Sequence, residues 1–388
     1  MIYLDNSATT PLSEYVKQET VKALDIFGNP SSLHALGVVS KKALDSARAD
    51  VCRAFGVRAP HPDELIFTGS GTEANCLAIL GSAKAKKRRD ATLIITTDSE
   101  HPSVDNAVEQ TRELGFEPVK LPTRNGVLDL DALDTVLNSG KKVFMITLML
   151  VNNETGALYD VKTAFARVKK KFPDAITHCD AIQGFMKIPF TPQTIGADLV
   201  TVSSHKIHGP KGVGALYVSP AITKTKKLVP IVFGGGQEHG MRSGTENLLG
   251  ILGFAAAARE SYATLKDDAS KMTALRDLLE EGLSGIGGVK LNIPSGTRAP
   301  HILSCTMPSI KSETMLHFLS SEGICVSSGS ACSSHAKEPS RPLVSFGLTP
   351  HDADCTLRLS LSRYNTESDV TAVVNAIKNG CDRLVRIK

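Results

Sequence analysis

The sequence predicts an α/β fold: a large domain with a mostly parallel sheet between helices, followed by a smaller α+β domain. Short apolar runs alternate with segments long enough to form crossover helices, as in sheets covered on both faces. The 388 residues, 41% of them hydrophobic, suffice for one large core and a second, smaller one. A Gly-rich stretch, "GIGGVK" at 285–290, breaks the alternation, and a compact strand and helix pattern follows it.

In chain order, an extended start leads to two helices over 12–27 and 33–55, the second carrying Leu36, Val39, Ala43, Ala47, Val51 and Ala54 near helical spacing. Strands are predicted at "ELIFTG" (64–69), "TLIITT" (92–97), "KVFMITLML" (142–150), "ITHCDA" (176–181) and "DLVTVSS" (198–204). "GVGALYVS" (212–219) reads as a further, antiparallel strand, and an Ala-rich helix runs over 248–283. Beyond the Gly-rich stretch come "HILSCTM", a helix over 312–322, "LRLSLS" and a last helix. That helix starts on a capping box, Thr366 to Asp369, and carries an apolar stripe of Val370, Val373, Val374, Ile377, Cys381 and Leu384. The large domain is expected to span 13–260 and the small one 261–388, with residues 1–12 packing against the latter.

The net charge of +4 accompanies no aromatic and basic stripe, which argues against nucleic-acid binding. The densest basic run, "KAKKRR" (84–89), reads as the cationic end of a helix. Eight cysteines form no CxxC pair and no regular ladder, as expected in a reducing compartment. No apolar run reaches the ~18 residues of a membrane span, and the amino terminus lacks a leader pattern. A cytoplasmic protein without membrane contact is the expectation.

Four stretches carry chemistry. "FTGSGTEANCLAIL" (67–80) sets Gly69, Ser70, Gly71 and Thr72 between strand and helix, a candidate anion cradle or simply a tight turn. In "TVSSHKIHGPKGVGALYV" (201–218), Lys206 follows an apolar strand and is flanked by hydroxyl and imidazole groups. This suits imine formation with an aldehyde cofactor whose phosphate Ser203 and His205 can hold; the alternative is a solvated loop lysine. "HCDAIQG" (178–184) places Asp180 at a strand end, where a carboxylate keeps a pyridinium protonated or caps a helix. "SSGSACSS" (327–334) sets Cys332 among small polar residues, reachable rather than packed. Cys325, Cys332 and His335 fit no usual zinc spacing, so no metal site is expected.

Together, "YLDNSATTP", "GTEAN", "SEHPSV", "VNNETG", "DAIQ", "SSHKIHGPKGVGALYV", "MRSGTEN", "SSGSAC" and "LRLSLSRYNTE" resemble, in order and approximate spacing, the cysteine desulfurases of the NifS/IscS type. These are fold type I pyridoxal-phosphate enzymes of the class V aminotransferase group, with a seven-stranded sheet, and the resemblance covers essentially the whole chain. It implies pyridoxal 5'-phosphate as cofactor and L-cysteine as substrate, with L-alanine and a persulfide as products. Lys206 is implied as the cofactor-binding lysine, Asp180 as partner of the ring nitrogen, and Gln183 and Asn153 as groups at the ring oxygen. His101 is implied to stack on the ring, and Gly71, Thr72, Ser203 and His205 to bind the phosphate. Thr245 is implied to reach the phosphate of a neighbouring subunit, hence a homodimer. Arg358, with Asn29, is implied to hold the substrate carboxylate, for which a guanidinium fork has the right geometry. Cys332 becomes the nucleophile, on a long loop that visits the site and delivers sulfur to an acceptor protein, such as an iron–sulfur scaffold, or to tRNA thiolation. The chain lacks the extended tail with which some relatives engage such a scaffold, which leaves the acceptor open. A selenocysteine lyase, an aminotransferase that leaves Cys332 idle, or a non-catalytic sulfur carrier of the same fold are the competing readings.

Overall fold

The computed structural model describes residues 1–57, 61–85, 91–328 and 339–384. Twelve strands occur among them. β1 (Ile2–Tyr3) is followed by seven strands of one sheet: β2 (Leu65–Thr68), β3 (Ala91–Thr97), β4 (Glu117–Leu121), β5 (Lys142–Met149), β6 (Ile176–Asp180), β7 (Leu199–Ser203) and β8 (Gly214–Val218). Then come β9 (Lys290–Leu291), β10 (Ile302–Thr306), β11 (Ile324–Cys325) and β12 (Thr356–Ser360).

The large sheet has the order β2-β8-β7-β6-β5-β3-β4. β8 alone runs against its neighbours, pairing antiparallel with both β2 and β7. The pairs β3·β4, β3·β5, β5·β6 and β6·β7 are parallel. β2, β6, β7 and β8 are buried at every residue, as expected of strands covered on both faces by helices. The seven strands agree with the family expectation. β4, "EPVKL", did not stand out because it is an edge strand with a single buried residue and contains Pro118, which only an edge tolerates.

Two apolar cores clothe the faces of this sheet, one around Phe55, Phe165, Phe185 and Phe254, the other around Leu77, Ile94, Met145 and Leu216. A third unites Leu4 with Leu275, Leu279, Leu303, Leu357 and Ile377. The amino terminus reaches that third core because β1 pairs in parallel with β11, beside the antiparallel sheet β12-β10-β9. The helix Leu248–Ser284 joins the cores: its first third packs under the large sheet and Leu275, Leu279 and Leu283 enter the third core. The boundary expected near residue 260 falls inside this helix, and no residue between Ser261 and Met272 is buried. The last helix, Glu367–Arg383, starts on the predicted capping box of Thr366 and Asp369. The basic run at 84–89 lies mostly outside the described residues.

Candidate active site

Because β2 lies parallel to the β7, β6, β5 and β3 group, the carboxyl ends of these strands share one edge of the sheet, where open α/β folds bind ligands. Register brings the ends together. Thr68 and Ser203 both pair with Gly214, which sets the Gly71 turn beside the end of β7. Asp180 pairs with Thr201 on one side and Met149 on the other.

A cavity of about 250 Å³ opens there. Gly71, Thr72, Ser203 and His205 line one part of it, and His101, Asn153, Asp180, Gln183, Lys206 and Arg358 line the rest. Ten of the predicted residues thus share one space. Asn29 and Thr245 do not: both are exposed, Asn29 Oδ1 accepts the Ser31 N–H at 2.9 Å, and Thr245 lines a separate cavity with Gly69 and Arg242. Cys332 lies outside the described residues.

Ser70 caps the helix Gly71–Cys76 by accepting the Glu73 N–H, and the first amides of such a helix have no acceptor within it. A methyl at position 71 would come within 2.4 Å of Ile182 Cδ1 and 3.3 Å of Ser203 Cβ, so only glycine leaves the cradle open. Lys206 Nζ donates to the carbonyls of Ser7 and Ala8, at 2.5 and 2.7 Å.

Asp180 is buried, and burial pushes its carboxyl up while the Ile182 N–H at 3.0 Å and the Asn75 amide at 2.8 Å hold it back. Asn75 Nδ2 also donates to Ser103 Oγ, which sits 2.8 Å from His101 Nδ1. His101 caps the helix Pro102–Gln110, its Nδ1 accepting the Ser103 N–H, so the neutral ring carries its proton on Nε2. Burial lowers its basicity; the Asp180 carboxylate opposes this and Lys206 adds to it. His205 is pushed down to about 4 by burial and by Lys206, Lys211 and Lys187. Gln183 Nε2 donates to the Ser7 carbonyl at 2.9 Å, leaving Oε1 buried without a partner among the described residues.

Arg358, in β12, brings a buried guanidinium to the cavity. Nη2 pairs with Asp5 at 2.8 Å and Nη1 donates to the Asn153 carbonyl at 3.1 Å. Its backbone bridges to Ser327 at 2.8 and 3.3 Å. On the other side of residues 329–338, Ser340 donates to Glu154 and Arg341 pairs with Asp105. Asn75, Ser103, Asp5 and Lys187 were not singled out from sequence. Asn75 and Asp5 sit inside the stretches "GTEAN" and "YLDNSATTP", but only the tertiary contacts distinguish them from ordinary helix and turn residues.

An anion cradle, a strand-end lysine and a carboxylate thus surround one cavity. The chain matches the aminotransferase class-V family over residues 2–373 and therefore belongs to it. It is 38% identical over 389 residues to a cysteine desulfurase of Trichormus azollae, covering 99% of this chain and 94% of that one. A cysteine desulfurase IscS of Dictyoglomus turgidum is 36% identical over 386 residues, with 99% and 95% covered. Among solved structures, a NifS-like protein superposes with a TM-score of 0.89 at 32% identity, covering 99% of this chain and all of the other. A NifS-like protein from Rickettsia africae gives 0.87 at 30%, covering 98% and 99%. Within the family, the chain sits among the NifS and IscS type cysteine desulfurases.

Proposed function

We propose that the protein removes sulfur from L-cysteine, releases L-alanine, and holds the sulfur as a persulfide on Cys332 for transfer to an acceptor, with pyridoxal 5'-phosphate as cofactor. The observation that carries this reading is the convergence of Lys206, Asp180, His101 and the Gly71 cradle on one cavity that also contains Arg358.

The donor set fits the cofactor. The Gly71 turn, Thr72, Ser203 and His205 would hold the phosphate, Lys206 the aldehyde carbon, Asp180 the ring nitrogen, and Asn153 and Gln183 the ring oxygen. When bound, the cofactor supplies an electron sink for the substrate α-carbon. A neutral His101 ring gives a flat face for stacking without adding a charge beside the Asp180 carboxylate. Arg358 takes the substrate carboxylate, and its contacts to Asp5 and Asn153 fix its direction. The Lys206 amine, when unprotonated, removes the α-proton. The Cys332 thiolate attacks the substrate sulfur: an S–S bond forms, the substrate C–S bond breaks with its electron pair staying on the β-carbon, a proton from solvent adds there, and Lys206 returns a proton to the α-carbon to complete alanine.

A homodimer follows in this reading, with Thr245 acting in the neighbouring site. The support is its exposure away from its own cavity and the apolar side chains left uncovered nearby in sequence and in the connection between the helices Glu14–Ala23 and Ala35–Ala54, Phe233 at 77%, Phe27 at 75% and Leu33 at 97% exposure. This reading places the protein in the cytoplasm, with the free state of the seven described cysteines as its support. The two domains are assigned to the two sides of the unburied stretch in the helix Leu248–Ser284. In this reading the sulfur goes to an acceptor protein such as an iron–sulfur scaffold, for which the likeness to IscS-type relatives is the support.

The test is alanine formation from L-cysteine by the cofactor-loaded protein and by Cys332→Ser. The variant should keep its visible absorbance and lose turnover. Unchanged turnover would remove Cys332 from the reaction.

A further inference from the structure

Behind Lys206 lies a second, smaller cavity of about 20 Å³, lined by Lys206 and Lys187 together with Asn6, His208, Asp268 and Arg363. Lys187 is 6% exposed, and its Nζ has no hydrogen-bond partner among the described residues. It belongs to "GFMKIPF", an otherwise apolar stretch. An unpaired buried amine is costly, and a methionine would fill the same space without that cost. The backbone on either side of the cavity is also held in the left-handed region that non-glycine residues avoid, at Met186 (φ 56°) and His208 (φ 67°).

The charges around Lys187 favour its neutral form. Burial pulls the Lys187 amine down to about 7, and Lys206 and Arg358 push in the same direction. The imidazoles of His205, His208 and His301 all feel the lysine's charge and are themselves driven neutral, chiefly by burial. The nearby carboxylates are engaged elsewhere: Asp268 accepts from Thr264 at 2.6 Å and Arg363 at 3.3 Å, and Asp5 pairs with Arg358. A space this size holds about one water, too little to screen one ammonium from another.

We propose that Lys187 is a positioning residue acting through Lys206: the two nitrogens compete for protons across the shared cavity, and whenever Lys187 is protonated its like charge lowers the proton affinity of the Lys206 nitrogen and keeps it able to accept the substrate α-proton. This rests on Lys206 being the cofactor-binding lysine. The coupling is reciprocal, so the pair shares its protons rather than titrating as two independent amines.

The experiment is a pH titration of the visible absorbance of the cofactor-loaded enzyme, comparing wild type with K187M, K187Q and K187R. Loss of the neighbouring charge should raise the midpoint by about one pH unit in both K187M and K187Q. The permanent charge of K187R should move it the opposite way. A packing defect would not produce opposite signs. Unchanged midpoints in K187M and K187Q, or a shift of the same sign in all three variants, would overturn the proposal. A wild-type protein with no visible absorbance would instead bring down the functional reading itself.

Discussion

Asn75 Nδ2 donates to Asp180 Oδ2 at 2.8 Å, from a helix that starts at the anion cradle to a carboxylate at the end of β6. The same amide nitrogen reaches Ser103, and Ser103 reaches His101. One side chain thereby ties together two of the groups assigned to the cofactor, Asp180 directly and His101 through Ser103. Burial alone would favour a protonated Asp180; the Asn75 and Ile182 donors favour the ionised form that a protonated ring nitrogen needs.

Asn75→Ala should therefore weaken the cofactor's hold without unfolding the protein. A hydrogen bond to a charged group contributes about 2 kcal/mol, roughly 30-fold in affinity. Titration of stripped protein with pyridoxal phosphate, followed by absorbance, measures it. Affinity equal to wild type would mean that Ile182 alone sustains the carboxylate.

Arg358→Lys keeps the charge and loses the fork. The substrate carboxylate is then held by a single point contact, and Asp5 loses its partner at 2.8 Å. KM for L-cysteine should rise about tenfold or more, with a smaller effect on kcat. Steady-state alanine assays separate the two constants. A fall in kcat at constant KM would place Arg358 in the chemical step instead.

Glu100 gives a pH prediction. It is buried, and burial pushes its carboxyl from 4.5 up to about 8, against the pull of the Met149 N–H and the Thr97 hydroxyl. The folded protein therefore binds a proton here that the unfolded chain releases, so this group's contribution to stability is lost as pH rises from about 4.5 to about 8. Glu100→Gln removes that loss. Its melting temperature should equal or fall below wild type near pH 4.5 and exceed it by several degrees at pH 8. A pH-independent difference between the two proteins would show that Glu100 is ionised in the fold.

The two ends of residues 329–338 are fixed by contacts with the site's own framework: Ser327 to Arg358 on one side, Ser340 to Glu154 and Arg341 to Asp105 on the other. Asp105 follows His101 on the helix Pro102–Gln110. Arg341→Ala should slow sulfur transfer to Cys332 about tenfold while leaving cofactor absorbance unchanged. Single-turnover alanine release against the absorbance spectrum checks this. Loss of absorbance would mean that the pair supports the cofactor site itself.

The parallel strands and the residues at their ends were legible because the sheet's interior demands long apolar runs, and a polar residue closing such a run, such as Asp180 or Ser203, stands out. β4 gave no such signal, having one buried residue and Pro118 within it. The short helices Arg341–Phe346 and Pro350–Asp354 have too few turns to show a period. Lys187 reads locally as a lysine in a loop, and only the fold turns it inward. Asn75 and Asp5 became visible through partners 105 and 353 residues away, a distance over which local pattern carries no information. Asn29 and Thr245, implied by resemblance rather than by local chemistry, lie outside the cavity that gathers ten of the predicted residues.

The most direct measurement is mass spectrometry of the cofactor-loaded protein after brief exposure to L-cysteine carrying heavy sulfur. The account predicts one heavy sulfur atom on the peptide containing Cys332, lost on reduction, and none in Lys206→Ala. Alanine formation with no label on Cys332, or label arriving there without Lys206, would contradict it.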